Sequence, residues 1–225
     1  EGATNPGFET ESIFNCDYED GIKAVFRSFG GNPDTQRILN ENTEMDSAIT
    51  IVKAYEAVSE YLGFGYIEAG KTMGLAPYGK DEELIPSLFF NGRGNKNVFI
   101  PNYPAGAHID HTRHPYLTLT EDPRAWHNDS SKVTDAAKNL AWAVQDETQR
   151  LVGDLIEKAA KMTGKKNIVI AGGYGLNCVA NYYYKKRFPD LNIFVDPISH
   201  DGGTALGFAQ LVHYTETKDK VKRPL

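Results

Sequence analysis

Hydrophobic residues recur at helical spacing in two parts of this chain and predict two amphipathic helices. The first helix is predicted from Asp46 to Tyr61 and ends at Gly63. The second begins near Lys132 and continues until Gly164 closes it. Their apolar positions are Ala48, Ile51, Val52, Tyr55, Val58 and Leu62 in the first helix, and Ala137, Leu140, Val144, Leu151, Leu155 and Ala159 in the second. Each helix therefore has one face that a core can bury.

The segment from Ser12 to Phe29 predicts a β-hairpin, because two extended stretches flank the pair Asp20-Gly21. Such a pair readily adopts the positive backbone angles of a tight turn. The polar stretch from Asn32 to Asn42 follows and predicts a loop. We therefore expect a hairpin and a loop before the first helix.

The part of the chain after Gly164 alternates between strand, glycine turn and helix. Strands are predicted from Asn167 to Ala171 and from Asn192 to Val195. A helix that ends at Arg187 connects them, and a last helix runs from Ala205 to about Thr215. This order predicts two parallel strands with a right-handed crossover. The fold class is therefore predicted to be α/β.

Hydrophobic residues show no clear periodicity in residues 93–130. This segment is predicted to be a surface insertion with a short strand from Asn97 to Ile100. Three of its histidines, His108, His111 and His114, are spaced three residues apart. A zinc site requires three imidazoles in a fixed geometry, which a proline-flanked loop rarely provides. The role of these histidines stays open.

Composition and charge restrict the class of protein and its partners. The 225 residues are 40% hydrophobic and 24% charged, which is enough for a globular core. The net charge of -6 is dispersed along the chain and argues against binding nucleic acid through its phosphates. The aromatic and basic residues at 182–187 follow helical geometry, so we interpret them as a packed and solvated helix rather than a nucleic-acid surface.

The N-terminal residues and the cysteines predict a cytoplasmic protein. The first twelve residues lack the basic start and apolar centre of a signal peptide. No apolar run is long enough to span a membrane. Cys16 and Cys178 are far apart and cannot form a disulfide framework, which favours a reducing compartment. Because the sequence begins with Glu1, we expect a processed or excerpted chain.

The first glycine turn lies in the segment NIVIAGGYGLNCVAN, between a predicted strand and a predicted helix. Gly172, Gly173 and Gly175 leave backbone N–H groups and the positive end of the helix facing the tip of the strand, where a phosphate would fit. Asn177 is predicted in the first turn of the helix, where its amide could contact a ribose, a base or the loop itself. The alternative is that the glycines only permit a tight turn.

The second glycine turn, Asp201-Gly202-Gly203, follows the next predicted strand. The carboxyl ends of parallel strands share one edge of a sheet, so both turns are expected to face one crevice. An ionised carboxylate beside a phosphate would be repelled unless a cation lay between them, so we predict Asp201 as a metal ligand. The alternative is an N-cap of the last helix. We expect His200 to make a local hydrogen bond rather than to act as a second metal ligand.

A Rossmann-type site is a further alternative for the first turn. Gly173 and Gly175 match the first two glycines of that motif, and Asp196 has the spacing of a ribose contact. However, Cys178 occupies the third glycine position, and we expect its thiol to prevent close packing of the helix on the strand. This scheme also gives the second glycine turn no role.

A third segment, YLGFGYIEAGKTMGLAPYGK, has five glycines around Glu68, Lys71 and Tyr78. Glycines allow the backbone to approach a ligand closely, and a lysine can neutralise an anion. The segment is therefore predicted to be a loop with little strand structure that lies near a ligand.

Three blocks of this sequence together resemble a known family. AYEAVSEYLGF followed by EAGKTMGLAPYG, then AGGYGLNCVAN, then SHDGGTALGFA are similar to the signatures of the NodU/CmcH-type O-carbamoyltransferases, in the same order. Members of that family use carbamoyl phosphate and ATP to form a carbamoyl-adenylate. They then transfer the carbamoyl group to a hydroxyl of a small-molecule acceptor.

The resemblance implies a fold and a set of site residues. It implies a Kae1-like domain of actin/Hsp70-like (ASKHA) fold that binds an iron-type metal. It also implies a separate YrdC-like domain, in which the adenylate forms. The catalytic residues would be Lys71 and Asp201, with Asp201 as the metal ligand. The nucleotide would be bound by Glu68, Gly70, Gly172, Gly173, Gly175, Asn177, Gly202 and Gly203.

Two features of the family pattern do not occur in this sequence. No histidine precedes Gly63, so the HxxxH metal pair of the family is missing, and no YrdC-like domain follows. We therefore expect residues 1–225 to be the C-terminal part of the Kae1-like domain, which would need the missing parts from the same or another chain. A non-catalytic ATP-binding subunit and a kinase of the same fold superfamily are the alternatives.

Overall fold

The computed structural model describes residues 8–17, 19–30, 37–40, 43–46, 50–65, 67–85, 87–88, 99–102, 106–109, 117 and 129–218. The chain divides into two compact units. The first comprises Glu1–Ile13 and Ala24–Leu155, and the second comprises Phe14–Lys23 and Ile156–Leu225. Each unit is described by itself below.

The N-terminal sheet has four strands in the order β1-β2-β4-β3. Its strands are β1 (Phe8–Asp17), β2 (Gly21–Gly30), β3 (Arg37–Asn40) and β4 (Thr43–Asp46). The predicted hairpin is confirmed, because only residues 18–20 connect the neighbouring strands β1 and β2, and so short a connection requires an antiparallel pair. Gly21 has a φ of 77° at this turn.

The predicted loop from Asn32 to Asn42 is wrong over its described part, since Arg37–Asn40 forms strand β3. This strand pairs antiparallel with β4, with Arg37 opposite Met45, and β4 pairs parallel with β2. The four residues are too few to show an alternating pattern, and their strand structure comes from pairing with a neighbour rather than from local preference.

Helix α1 (Ile51–Tyr61) confirms the first predicted helix but begins five residues after Asp46, because Asp46 ends strand β4. The hydroxyl of Thr50 caps α1 by accepting a hydrogen bond from the Lys53 N–H at 3.1 Å. Gly63 follows its end with a φ of 79°. The face predicted to be apolar is buried at most of its positions, with Val58 inaccessible to solvent, but Val52 is 39% exposed.

The glycine-rich segment after α1 is a helix where a loop was predicted. Helix α2 (Ala69–Leu75) continues into a 3-10 turn at Ala76–Tyr78. Its Thr72 hydroxyl lies 2.7 Å from the hydroxyl of Ser59 on α1, and both side chains are fully buried. This tertiary contact explains the error, because packing against α1 outweighs the poor helix preference of glycine.

Helix α3 (Asp135–Thr163) confirms the second predicted helix, and Gly164 ends it with a φ of 66°. Its buried apolar side chains include Ala137, Leu140 and Val144. On the same helix, Gln145 accepts a hydrogen bond from the Tyr55 hydroxyl at 2.9 Å and so connects α3 to α1. The core of the first unit lies at this contact.

The predicted insertion lies largely outside the described residues. Strands β5 (Phe99–Asn102) and β6 (Gly106–Ile109) pair antiparallel, so the predicted strand from Asn97 to Ile100 is confirmed from Phe99 onward. Residues 97 and 98 are outside the described part of the chain.

The second unit contains the predicted parallel pair. Strands β7 (Asn167–Ile170) and β8 (Asn192–Val195) run parallel, with Asn167 opposite Asn192 and Ile170 opposite Val195. Helix α4 (Cys178–Arg187) connects them, and helix α5 (Gly203–Thr217) follows β8. The fold is therefore mixed α/β with small sheets, as its class was predicted. Among the described residues, no helix has the length and apolar character to cross a membrane.

Candidate functional site

The two glycine turns of the second unit are joined by a hydrogen bond. The Gly172 N–H donates to the carbonyl of Ser199 at 2.8 Å. Gly172 follows β7 and Ser199 follows β8, so the turns lie side by side at the carboxyl ends of the two parallel strands. The predicted adjacency of the two turns is confirmed.

Glycine is found at each position of the first turn for a different physical reason. Gly172 has a φ of 100°, which an L side chain rarely adopts. A side chain at Gly175 would have its Cβ 3.1 Å from Ser199 Oγ and 3.3 Å from a methyl of Val195, so Gly175 permits close packing. A Cβ at Gly173 would meet no atom within 4 Å. Gly173 therefore faces open space, where a ligand could approach the backbone.

Asn177 is the N-cap of α4 rather than a residue of its first turn, so its predicted position is corrected. Its side-chain oxygen accepts a hydrogen bond from the Ala180 N–H at 3.0 Å, and the residue is buried. Residues 173–176 form a 3-10 turn before the cap, which delays the start of the helix. This hydrogen bond is with the helix, whereas the prediction for the amide named a ribose, a base or the loop.

In the second turn, the glycine amides donate within the turn itself. The Gly202 N–H donates to His200 Nδ1 at 3.0 Å, and the Gly203 N–H donates to the His200 carbonyl at 2.8 Å. The local hydrogen bond predicted for His200 is thus confirmed. A Cβ at Gly203 would lie 2.2 Å from the Ile198 carbonyl oxygen, so close backbone approach requires glycine there.

Asp201 is exposed beside these glycines and does not cap α5. The cap position is Gly202, without a side-chain hydrogen bond, so the N-cap alternative for Asp201 is wrong. The Asp201 carbonyl accepts hydrogen bonds from the Thr204 N–H and hydroxyl at 3.1 and 2.6 Å. Among the described residues, no group of three or more His, Cys, Asp and Glu side chains could hold a metal ion. Asp201 therefore supplies one oxygen-donor side chain and not a complete site.

Comparison with known proteins identifies the family. The family described as "Carbamoyltransferase N-terminus" matches residues 10–210. The chain belongs to this carbamoyltransferase family. The nodulation protein NolNO of Sinorhizobium fredii is 27% identical over 213 residues, which are 92% of this chain and 28% of that protein.

Two further relatives are similar to this chain. The nodulation protein NolO of Bradyrhizobium diazoefficiens is 31% identical over 163 residues, 70% of this chain and 27% of that protein. An uncharacterised protein of Synechocystis is 30% identical over 180 residues, 76% of this chain and 28% of that protein. The carbamoyltransferase-family chain thus spans little more than a quarter of the length of these curated relatives.

The remaining predicted site residues of this carbamoyltransferase-family chain lie in its first unit. Lys71 Nζ forms an ion pair with Glu68 Oε1 at 2.6 Å, and the Gly65 N–H donates to Glu68 Oε2 at 3.0 Å. A Cβ at Gly70 would meet no atom within 4 Å. The structure therefore brings Glu68 and Lys71 together in one unit and the two glycine turns together in the other.

The Rossmann alternative receives no support from the carboxylate that it requires. Asp196 Oδ1 accepts a hydrogen bond from the Ile198 N–H at 2.8 Å, so this carboxylate is engaged in the turn after β8. Cys178, which occupies the third glycine position of that motif, is exposed.

The aromatic and basic residues of α4 follow the predicted distribution over several faces of the helix. Lys186 lies over the Tyr182 ring at 4.6 Å, and Arg187 pairs with Glu157 at 3.2 Å. Burial, together with the nearby Tyr174, raises the pKa of Tyr184 above its usual range. The Tyr184 hydroxyl therefore stays neutral at physiological pH and cannot act there as a phenolate base.

Asn181 contacts the first turn and was not among the predicted site residues. Asn181 donates a hydrogen bond from Nδ2 to the Gly175 carbonyl at 2.7 Å. Its spacing from Asn177 was the available signal, since residues four apart on a helix share a face. Of the three histidines spaced three apart, His108 lies on β6, and the other two are outside the described residues.

Proposed function

We propose that this chain binds the nucleotide in an O-carbamoyl transfer reaction. In this reaction, carbamoyl phosphate, ATP and water give a carbamoyl-adenylate, phosphate and pyrophosphate. The carbamoyl group of the adenylate then passes to a hydroxyl of a small-molecule acceptor. Membership of the carbamoyltransferase family supports carbamoyl transfer. The Gly172–Ser199 hydrogen bond, which joins the two glycine turns, is the observation that supports a nucleotide site in this chain.

The first turn is the part of this site that would face the phosphate. It precedes the ten-residue helix α4, whose N-terminus favours an anion, and Gly173 leaves space for a ligand. Gly202 and Gly203 would act differently from the sequence-based proposal, because their amides already have acceptors within the second turn. Their role would be to support the first turn through Ser199.

The chemical step requires stabilisation of the leaving phosphate. The acceptor oxygen forms a bond to the carbamoyl carbon, the bond from that carbon to the adenylate phosphate oxygen breaks, and AMP leaves. The hydroxyl proton passes to a base. Negative charge increases on the phosphate during this step. The N–H groups of Gly172 and Gly175 already donate to the carbonyls of Ser199 and Gly172, so the Gly173 N–H would stabilise this charge. Lys71, which is about half exposed in the first unit, is proposed as a catalytic residue in its own right, and its ion pair with Glu68 would orient its ammonium group.

The metal, the fold superfamily and the partner regions remain part of the proposal. Asp201 would fit one ligand position of an iron-type ion, because its side chain is exposed and the oxygens of an ionised carboxylate carry no hydrogen. Such an ion would supply Lewis-acid chemistry, and its other ligands would come from residues outside those described. We propose that this chain belongs to a domain of ASKHA fold. The YrdC-like region and the remaining part of the Kae1-like domain would complete the enzyme. The enzyme would be cytoplasmic.

The test follows label from carbamoyl phosphate. The chain, together with the rest of a carbamoyltransferase in the same or a second polypeptide, receives labelled carbamoyl phosphate, ATP and small hydroxylated acceptors. Label in the acceptor supports the proposal. ATP binding without any transfer would instead indicate an ATP-binding subunit, and consumption of ATP without carbamoyl phosphate would indicate a kinase.

A pair of glycine variants tests the nucleotide site directly. Gly172 and Gly164 both have a positive φ, and a Cβ at either position meets no atom within 4 Å. Gly172 (φ 100°, ψ 158°) lies in a backbone region that essentially only glycine adopts, so Gly172→Ala should cost about 1 to 3 kcal/mol of strain, against about 1 kcal/mol for Gly164→Ala. Only Gly172→Ala should weaken ATP binding, by about tenfold or more. Equal ATP affinity in the two variants would contradict a nucleotide site at the first turn.

A further inference from the structure

We propose that Asn181 is a positioning residue that holds the first glycine turn in the conformation that the nucleotide site requires. This inference rests on the proposed nucleotide site. Asn181 lies on α4 and makes its contact with the backbone of the turn, not with an open surface.

Asn181 connects the helix to the turn at two points. Its Nδ2 donates to the Gly175 carbonyl at 2.7 Å, and its backbone N–H donates to the Asn177 carbonyl at 2.9 Å. Asn177 in turn caps the helix through the Ala180 N–H. The side chain of Asn181 thus fixes the peptide group that follows Gly175 relative to the start of α4.

The orientation of that peptide group matters for an anionic ligand. A carbonyl oxygen directed at a phosphate would repel it, whereas an N–H would attract it. A flip of the peptide between Gly175 and Leu176 changes ψ of Gly175, which has no Cβ to restrict it, together with φ of Leu176. Since the Gly175 carbonyl accepts from Asn181, its oxygen is directed toward α4. Asn181 therefore opposes a peptide flip that would present this oxygen elsewhere.

The rest of the Asn181 side chain indicates a role beyond packing. Asn181 Oδ1 is buried without a hydrogen-bond partner among the described residues, and so is Ser199 Oγ, which lies 3.1 Å from the Cβ position of Gly175. A buried acceptor without a partner is unfavourable, and an apolar side chain of similar size would avoid this cost. The hydrogen bond to Gly175 is the interaction that an apolar side chain would lose.

Two variants at this position and one control separate positioning from stability. Asn181→Asp keeps the shape but loses the donor and places an acceptor against the Gly175 carbonyl. Asn181→Leu removes the donor together with the buried acceptor and provides a second variant if the first folds poorly. Asn192→Asp is the matched control, because Asn192 Nδ2 donates to Asn167 Oδ1 at 2.9 Å at the opposite ends of β7 and β8.

The measurements are amide hydrogen exchange and ATP affinity of the full chain. In both Asn181 variants we expect faster exchange at residues 173–177 and an ATP Kd raised about fivefold to tenfold. The control should leave both quantities at wild-type values. A role in stability alone would lower the melting temperature without changing the ATP Kd well below that temperature.

The outcomes also distinguish the two proposals. An unchanged ATP Kd in both Asn181 variants, or unchanged exchange of the turn, overturns the positioning role. Failure of the wild-type chain to bind ATP overturns the proposed nucleotide site, and the positioning of that site fails with it. The role of Asn181 is supported if both variants show faster exchange and weaker ATP binding while Asn192→Asp keeps wild-type values.

Discussion

The two units of this chain use their hydrophobic residues differently. In the first unit, α1 and α3 bury most of their apolar faces, including Val58, Leu140 and Val144. In the second unit, only Ile156, Ala180 and Tyr184 are buried hydrophobic residues among those described. Helix α5 has no buried residue, although it carries several large apolar side chains.

This difference teaches where stability and site geometry come from. The first unit is stabilised by packing of side chains, which the hydrophobic effect favours in proportion to the area buried. In the second unit, the glycine turns are shaped by backbone hydrogen bonds such as Gly172 to Ser199 and Gly203 to His200. Substitutions in the first unit should therefore change mainly stability. Substitutions of the turns in the second unit should change mainly the candidate site.

The largest effect is expected from leucine truncation in the first unit. Leu140 is 1% exposed on α3, so Leu140→Ala should lower the free energy of unfolding by about 2 to 5 kcal/mol. Leu206 on α5 is 48% exposed, and Leu206→Ala removes few packed atoms, so it should cost less than about 1 kcal/mol. Urea unfolding of both variants measures the difference. Equal losses would refute the contrast between the two units.

A smaller effect is expected from adding one methyl group to the second turn. Gly203→Ala would place its Cβ 2.2 Å from the Ile198 carbonyl oxygen, so the backbone must shift, at about 1 to 3 kcal/mol. Because Ser199 in this turn accepts from Gly172, ATP binding should weaken as well.

The matched control for Gly203→Ala is Gly207→Ala on the same helix. A Cβ at Gly207 meets no atom within 4 Å, so this variant should be neutral or stabilising, by about 0.5 to 1 kcal/mol. Thermal unfolding and ATP titration of the two variants provide the comparison. The close-approach explanation for Gly203 fails if both variants retain wild-type stability and ATP affinity.

Much of the fold could be predicted from the sequence, because hydrophobic residues that recur over a long segment and glycine turns are local signals. The helix α3, the strand pair β7–β8 and the hairpin at Gly21 were all predicted from such signals. Strand β3 and helix α2 were missed because they depend on contacts outside their own segments, with Met45 on β4 for β3 and with Ser59 on α1 for α2. Tertiary contacts of this kind leave no period in a short segment.

The candidate site was predictable in its location more than in its atomic roles. The sequence indicated that the two turns meet, and the Gly172–Ser199 hydrogen bond agrees. It did not indicate that Gly202 and Gly203 donate inside their own turn or that Asn177 caps α4. A glycine in the sequence can be needed for a ligand-binding amide, for a positive φ or for a close backbone contact. The three-dimensional structure is required to distinguish these three roles.

The smallest effect concerns an exposed ion pair of the second unit. The N–H of Glu19 and the ammonium of Lys165, which lies 3.0 Å from the carboxylate, lower the pKa of Asp17 below its usual range. A lowered pKa in the folded state means that the unfolded chain binds the proton more readily. The pair therefore stabilises the fold above the ordinary aspartate pKa, about 4, and this contribution is lost as the pH falls through the folded pKa.

Two substitutions isolate this contribution. Asp17→Asn should lower the urea midpoint slightly at pH 7 and reduce its dependence on pH in the acid range, because an exposed pair contributes little. Lys165→Met should raise the pKa of Asp17 toward its ordinary value and so shift the acid loss to higher pH. The double variant should lose less than the sum of the single variants, since both remove the same interaction. Strictly additive losses would show that Lys165 acts instead through its contact with the Cys16 carbonyl at 3.3 Å, which Asp17→Asn leaves in place.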